Sequence, residues 1–251
     1  MKIIISPAKK MKREEVLSPE GLPVFTERAE QIMRYLKSLP YGALKELLQC
    51  NDSIAALNFE RYQKMELHGQ LSPAILSYEG IQYQYMSPHV LDRQSLDYVQ
   101  KHVRILSGFY GILKPFDGIV PYRLEMQAKL ETPFCRNLYD FWQDSIYQEL
   151  VREDKTILNL ASVEYSKVVS RYCKADEHFI TCTFGQWQDG TVKEKGVYVK
   201  MARGEMVRFL AERNITKPEG AKAFDRLGYR YQESLSDTTH YVFVATGKGT
   251  K

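Results

Sequence analysis

The chemistry available to this chain is concentrated in a few short runs. Pro121-Tyr122-Arg123-Leu124-Glu125-Met126 brings together a phenol, a guanidinium and a carboxylate. On a strand, an Arg and a Glu two residues apart point the same way, so Arg123 and Glu125 either pair with each other or address a ligand together. Asn159-Leu160-Ala161-Ser162 leads on to Glu164 and Tyr165, placing an amide, a hydroxyl, a carboxylate and a phenol at the end of an apolar run. That mixture lines a pocket, or it caps a helix beginning near Ser162 with Glu164 in its first turn. Lys200-Met201-Ala202-Arg203-Gly204 sets two cations near an expected helix start, where the macrodipole adds positive potential. The pair is unfavourable there unless an anion answers it, and Glu125, Glu164 or a phosphate would supply one.

A second group suits phosphate. Gly108-Phe109-Tyr110-Gly111 follows Lys101 and Arg104 and precedes Lys114. Backbone N–H groups freed at a glycine turn approach phosphate closely, and flanking cations add sequence-independent attraction. The plainer alternative is an ordinary turn between helices, with Phe109 and Tyr110 packing in the core. The N-terminal segment holds five cations and no acid in its first thirteen residues, Lys9 among them, and it opens with Ser6-Pro7 after an isoleucine run.

Other chemistries lack their spacing. There is no G-x-G-x-x-G, no H-E-x-x-H and no nucleophile elbow. Gly247-Lys248-Gly249-Thr250 resembles a fragment of a P-loop without its upstream glycine or following helix, and the tail is expected to fray. Cys50, Cys135, Cys173 and Cys182 form no C-x-x-C pair, so disulfides, a metal centre and a metal cofactor are not expected. No apolar run approaches a membrane span or a signal-peptide core, which predicts a cytoplasmic protein without a membrane partner. The 251 residues carry a formal charge of +4, 44% hydrophobic and 26% charged residues, ordinary for a folded domain and short of a strongly basic nucleic-acid module.

The elements that must position these residues follow from periodicity. Lys2 to Ser6 and Thr156 to Leu160 read as short buried strands. Residues 26 to 66 read as helices capped near Thr26, broken at Pro40 and capped again at Asn51 or Asp52. Asp92 to Leu106 carries an apolar stripe of Leu96, Val99, Val103 and Leu106 at helical spacing, and Asn137 to Arg152 reads as one helix with Asp140 in its first turn. Asp189-Gly190 signals a hairpin between His178 to Trp187 and Thr191 to Val199. A helix from about Met201 to Arg213, a short helix and two strands, Tyr229 to Gln232 and His240 to Ala245, complete an α+β fold: a mixed sheet with flanking helices. No linker is evident, so residues 1–251 are expected to form a single elaborated domain or two interleaved lobes.

With these residues in view, the chain resembles the YaaA family of bacterial peroxide-stress proteins. The matching runs are Ile5 to Lys9, Leu106 to Asp117, Pro121 to Met126, Leu138 to Trp142, Asn159 to Tyr165 and Lys200 to Phe209, in the expected order. The resemblance implies a compact mixed fold with a helix-hairpin-helix element, binding of double-stranded or branched DNA through a basic cleft, and an association with limiting iron and protecting DNA during hydrogen peroxide stress. By position the hairpin element maps to the helix ending at Leu106 and the Gly108 to Gly111 turn, although the spacing is G-x-x-G and not the commoner G-x-G. The DNA- or anion-binding set is then Lys9, Arg104, Gly108, Gly111, Lys114, Arg123, Lys200 and Arg203. The competing expectation is an enzyme acting on a nucleobase, nucleoside or nucleic-acid end. Its general acid/base is Glu125 or Glu164, its anion is held by Arg123, Lys200 and Arg203, and Ser6, Tyr122, Asn159, Ser162 and Tyr165 line its pocket. Convergence of Lys9, Arg123, Glu125, Glu164 and Arg203 in one closed pocket favours the enzyme; dispersal into separate pairs removes it.

Overall fold

A computed structural model describes residues 1–14 and 17–245; the tail from Gly247 to Lys251 lies outside them. The chain enters on β1 (Lys2–Ile5), in which Ile3, Ile4 and Ile5 are fully buried. An unbroken apolar run is what a strand covered on both faces requires. After β2 (Lys10–Met11) come α1 (Thr26–Ser38), α2 (Tyr41–Leu48) and α3 (Asp52–Gln63). Pro40 separates the first two, and Asn51 caps the third by accepting the Ile54 N–H. Thr26 lies inside α1 and gives no side-chain cap: its hydroxyl donates back to the Pro23 carbonyl.

A run of very short elements follows: β3 (Ser72–Pro73), α4 (Ala74–Ser77), β4 (Tyr78–Glu79) and α5 (Ile81–Met86). Next, α6 (Arg93–His102), capped by Asp92, leads into β5 (Val103–Ser107), β6 (Gly111–Leu113) and β7 (Gly118–Ile119). The expected helix to Leu106 therefore ends four residues early. Val103, Ile105 and Leu106 are fully buried, and pairing of Val103 to Ile105 with Ile3 to Ile5 overrides the helical stripe. The Gly108 to Gly111 turn consequently joins two antiparallel strands, β5 and β6, and not two helices. The helix-hairpin-helix element expected at that place does not form there.

The next segment, expected as one helix, is two, α7 (Leu138–Trp142) and α8 (Ser145–Glu153), because the backbone leaves the helix at Gln143, with φ 45° and ψ −126°. Then come β8 (Thr156–Leu160), α9 (Val163–Ser170), β9 (His178–Gln188), β10 (Thr191–Lys193) and α10 (Gly196–Glu212). The last of these begins five residues before the expected Met201. Val199, Ala202, Met206 and Phe209 are buried at helical spacing, so packing draws the β-branched start into the helix. The described chain closes with β11 (Tyr229–Tyr231) and β12 (His240–Ala245).

The main sheet is mixed, in the order β11-β12-β9-β8-β1-β5-β6, with β10 as an extra partner of β9. Its five inner strands from β12 to β5 are parallel, and antiparallel β11 and β6 close the two ends. No helix among the described residues is long and apolar enough to cross a membrane. One helix contact matters for the site. A Cβ on Gly204 of α10 would lie 2.1 Å from the Gln82 carbonyl oxygen, so α10 and α5 meet backbone to backbone, which only glycine permits.

A candidate anion-binding pocket at the strand ends

From β1 the sheet continues to β5 on one side, and from β8 it continues to β9 on the other. The carboxyl ends of β1 and β8 thus flank a point where the strand order reverses, the usual place for a ligand crevice in an open parallel sheet. Ser6 follows β1 and Ser162 follows β8. The Ser162 N–H donates to Ser6 Oγ at 2.9 Å, and Tyr83 in α5 donates its hydroxyl to the Ser6 carbonyl at 3.0 Å.

Above these residues opens a pocket of about 390 Å³. Its lining includes Lys9, Arg123, Glu125, Glu164 and Arg203, together with Ser6, Tyr122, Ser162, Tyr165 and Lys200. The five residues whose convergence bears on the two functional expectations line one cavity, which is partly open to solvent and not closed, although they come from four separate stretches of chain. Glu125 is held between two cations, 2.7 Å from Lys9 Nζ and 3.0 Å from Arg123 Nη2. Lys10, at the rim, pairs with Glu79 at 3.1 Å. Glu164 accepts the Gln127 N–H at 3.2 Å. Burial raises its carboxyl above the usual carboxylate range, and the neighbouring Glu125 charge adds to the rise. Two carboxylates in unlike surroundings are the arrangement that separates an acid from a base.

Three nitrogen donors on residues lining this pocket have no hydrogen-bond partner among the described residues: Gln82 Nε2, Arg123 Nε and Arg203 Nε. A buried donor left unpaired costs about 1–3 kcal/mol, so three together mark a place built for acceptors. Arg203 is deeply set, its pKa lowered by burial and opposed by Glu194. It stands with Lys200 inside α10, not at the helix start, so the expected macrodipole term does not act there. Beneath the pocket, the Tyr122 hydroxyl is hydrogen-bonded to Ser107 Oγ at 2.6 Å and to the Tyr78 hydroxyl at 2.7 Å. Burial pushes the Tyr122 phenol up to about 12, which keeps it neutral.

The remaining expected residues lie elsewhere. Asn159 is buried beside the pocket without lining it: it accepts the Ala161 N–H at 2.9 Å and donates to Thr181 Oγ1 at 3.3 Å, shaping the turn after β8. Arg104 is buried and ion-paired with Glu153, so its charge is answered within the fold. At the glycine turn, the N–H groups of Phe109 and Tyr110 donate to Ser107 Oγ and are not open to phosphate. Gly108 and Gly111 give room to the Leu124 carbonyl and to the Trp142 ring, so both serve packing. Lys114 is exposed, but on a different depression shared with Arg104 and Asp117.

A larger and more open depression of about 580 Å³ contains none of the site residues. Its cations are engaged by the protein: Arg61 on the Met11 carbonyl, Arg13 on Gln70 and Lys64 on Glu60. Among the described residues no cluster of three His, Cys, Asp or Glu side chains is placed to hold a metal ion. Sequence reading missed Gln82, Tyr83 and Glu79, because the elements that carry them are too short to show a period. The only signals were the density of tyrosines from Tyr78 to Tyr85 and the break at Gly80.

Fold and site together define a mixed α/β protein with a cation-lined, carboxylate-bearing pocket at a strand-order reversal. The family model described as peroxide stress protein YaaA matches residues 1–235, and the chain belongs to that family. Relatives named UPF0246 protein are 63% identical in Desulfitobacterium hafniense, over 97% of this chain and 98% of the relative, and 53% identical in Lachnoclostridium phytofermentans, over 97% and 96%. A third, from Agathobacter rectalis, is 48% identical over 97% of this chain and 98% of its own length.

Proposed function

We propose that this peroxide-stress family member is an enzyme acting on a nucleobase, nucleoside or nucleic-acid end. The observation that carries the reading is the convergence of Lys9, Arg123, Glu125, Glu164 and Arg203 in one cavity. Phosphate binding alone has no use for carboxylates, which repel phosphate, whereas proton transfer needs one. Glu164, held neutral to higher pH by burial, is the general acid/base, and Glu125 orients Lys9 and Arg123. Arg123, Lys200 and Arg203 hold the anionic part of the substrate. The test is product analysis by liquid chromatography and mass spectrometry after incubation with nucleosides, nucleotides and short single strands. Turnover lost in Glu164→Gln supports the reading, and no turnover of any of them by the unmodified protein removes it.

A second reading, non-sequence-specific binding of double-stranded or branched DNA that protects it during peroxide stress, is favoured by the exposed ammonium groups of Lys9, Lys10 and Lys200 at the pocket. Its affinity should fall with salt by a log-log slope of roughly −0.9 per phosphate contact. Fluorescence anisotropy with a junction and a duplex tests it, and salt-insensitive or absent binding at micromolar protein rejects it.

A further inference from the structure

The three unpartnered donors come from three separate parts of the fold: Gln82 from α5, Arg123 from the segment before α7, and Arg203 from α10. Gln82 is only 6% exposed, and its Nε2 is buried away from water as an alternative partner. All three are donors. A group with three terminal acceptor oxygens has one for each of these three donors, whereas a carboxylate has two oxygens. Charge points the same way. Five cations (Lys9, Lys10, Arg123, Lys200, Arg203) and three carboxylates (Glu79, Glu125, Glu164) line the cavity, leaving a surplus of two positive charges. A phosphomonoester carries about −1.5 to −2 near neutral pH.

The rest of the cavity suits a flat ring. Tyr83, Tyr122 and Tyr165 contribute to its walls, and 390 Å³ accommodates one nucleotide and not a duplex. We propose that the pocket binds a single nucleotide carrying a phosphomonoester, with the phosphoryl oxygens on Gln82, Arg123 and Arg203 and the base against the tyrosines. This rests on the reading of the pocket as directed to nucleobases, nucleosides or nucleic-acid ends, and adds that the phosphate is the principal anchor. The same chemistry is presented by a free nucleoside monophosphate and by the phosphorylated end of a strand.

Calorimetric titration of the full chain decides it. The probes are adenosine and guanosine monophosphates, the two parent nucleosides, inorganic phosphate, and a trinucleotide with and without a 5′-phosphate. Each monophosphate should bind at least about tenfold more tightly than its nucleoside. Gln82→Met and Arg203→Gln should each weaken the monophosphate by about tenfold and leave the nucleoside unchanged. Gln82→Met should melt no lower than the parent protein, because it replaces an unpartnered buried amide with an apolar group of like size, so lost binding is not lost folding. Tighter binding of the free nucleotide identifies a metabolite, and tighter binding of the phosphorylated trinucleotide identifies a strand end. A nucleoside that binds as well as its monophosphate, or an undiminished Gln82→Met, overturns the phosphate anchor while leaving the enzyme reading in place. If no nucleoside, nucleotide or oligonucleotide is bound or turned over, both fall.

Discussion

The Ser162 N–H donates to the Ser6 hydroxyl at 2.9 Å, joining two residues 156 positions apart at the carboxyl ends of neighbouring parallel strands. The two hydroxyl oxygens are 3.2 Å apart. Through this contact the loop carrying Lys9 and the helix carrying Glu164 are held to a common origin, so the distance between cation and carboxylate is set by the sheet.

Ser6→Ala should therefore loosen the site more than the fold. It removes the acceptor for Ser162 N–H, and loss of one such bond costs about 1 kcal/mol. Urea unfolding should show that modest loss, while turnover or nucleotide binding falls further; an unchanged site would show that the strand-end tie does not position it.

Gly204→Ala reverses a familiar sign. On an exposed helix the change stabilises by about 1 kcal/mol. Here the new methyl would meet the Gln82 carbonyl at 2.1 Å and force α10 from α5. We expect a net loss of about 1–3 kcal/mol by urea titration, with ligand binding impaired because Gln82 and Arg203 separate. A stabilised protein would contradict the close helix contact.

Arg104→Met separates structure from DNA binding. Arg104 is buried against Glu153, and removing one partner of a buried pair costs about 3 kcal/mol, lessened here because Lys2 also reaches Glu153 at 2.5 Å. Stability should fall while the salt dependence of any DNA binding stays as it was. Changing Lys200 and Arg203 to Ala should do the opposite, flattening the salt slope in anisotropy.

Asp117 predicts a pH effect on stability. Burial raises its carboxyl from an ordinary 3.8 to about 6, against the opposing Lys114 N–H that it accepts at 2.8 Å. The folded state thus holds the proton more tightly than the unfolded state. Between about pH 4 and 6 the folded protein binds more protons, so stability is higher below that window and falls as pH rises through it. The shift corresponds to about 3 kcal/mol. Asp117→Asn should remove this component, so urea midpoints measured from pH 4 to 7 should fall less steeply with rising pH in the variant; identical pH dependence in both proteins would refute it.

Much of the fold was legible in local sequence, because its signals are short-range. Unbroken apolar runs marked β1 and β8, Asn51 and Asn137 capped helices as expected, and Asp189-Gly190 formed a hairpin turn with both residues left-handed, at φ 52° and 76°. Val103 to Ser107 was misread because its apolar spacing continues a helical stripe. What makes it a strand is β1, a hundred residues earlier in the chain. The same holds for the site. Residue chemistry together with the runs that resemble the family singled out Lys9, Arg123, Glu125, Glu164 and Arg203, since cations, carboxylates and their spacing are properties of the chain itself. Whether they would meet depended on the parallel register of β1 with β8 and on the approach of α10 to α5 over Gly204. Pairing of β5 with β1 likewise placed Arg104 in the interior, and packing on Leu124 and Trp142 turned the Gly108 to Gly111 segment inward. Local chemistry is written residue by residue, but which groups lose water and which stay open to a ligand is decided only when distant segments pack.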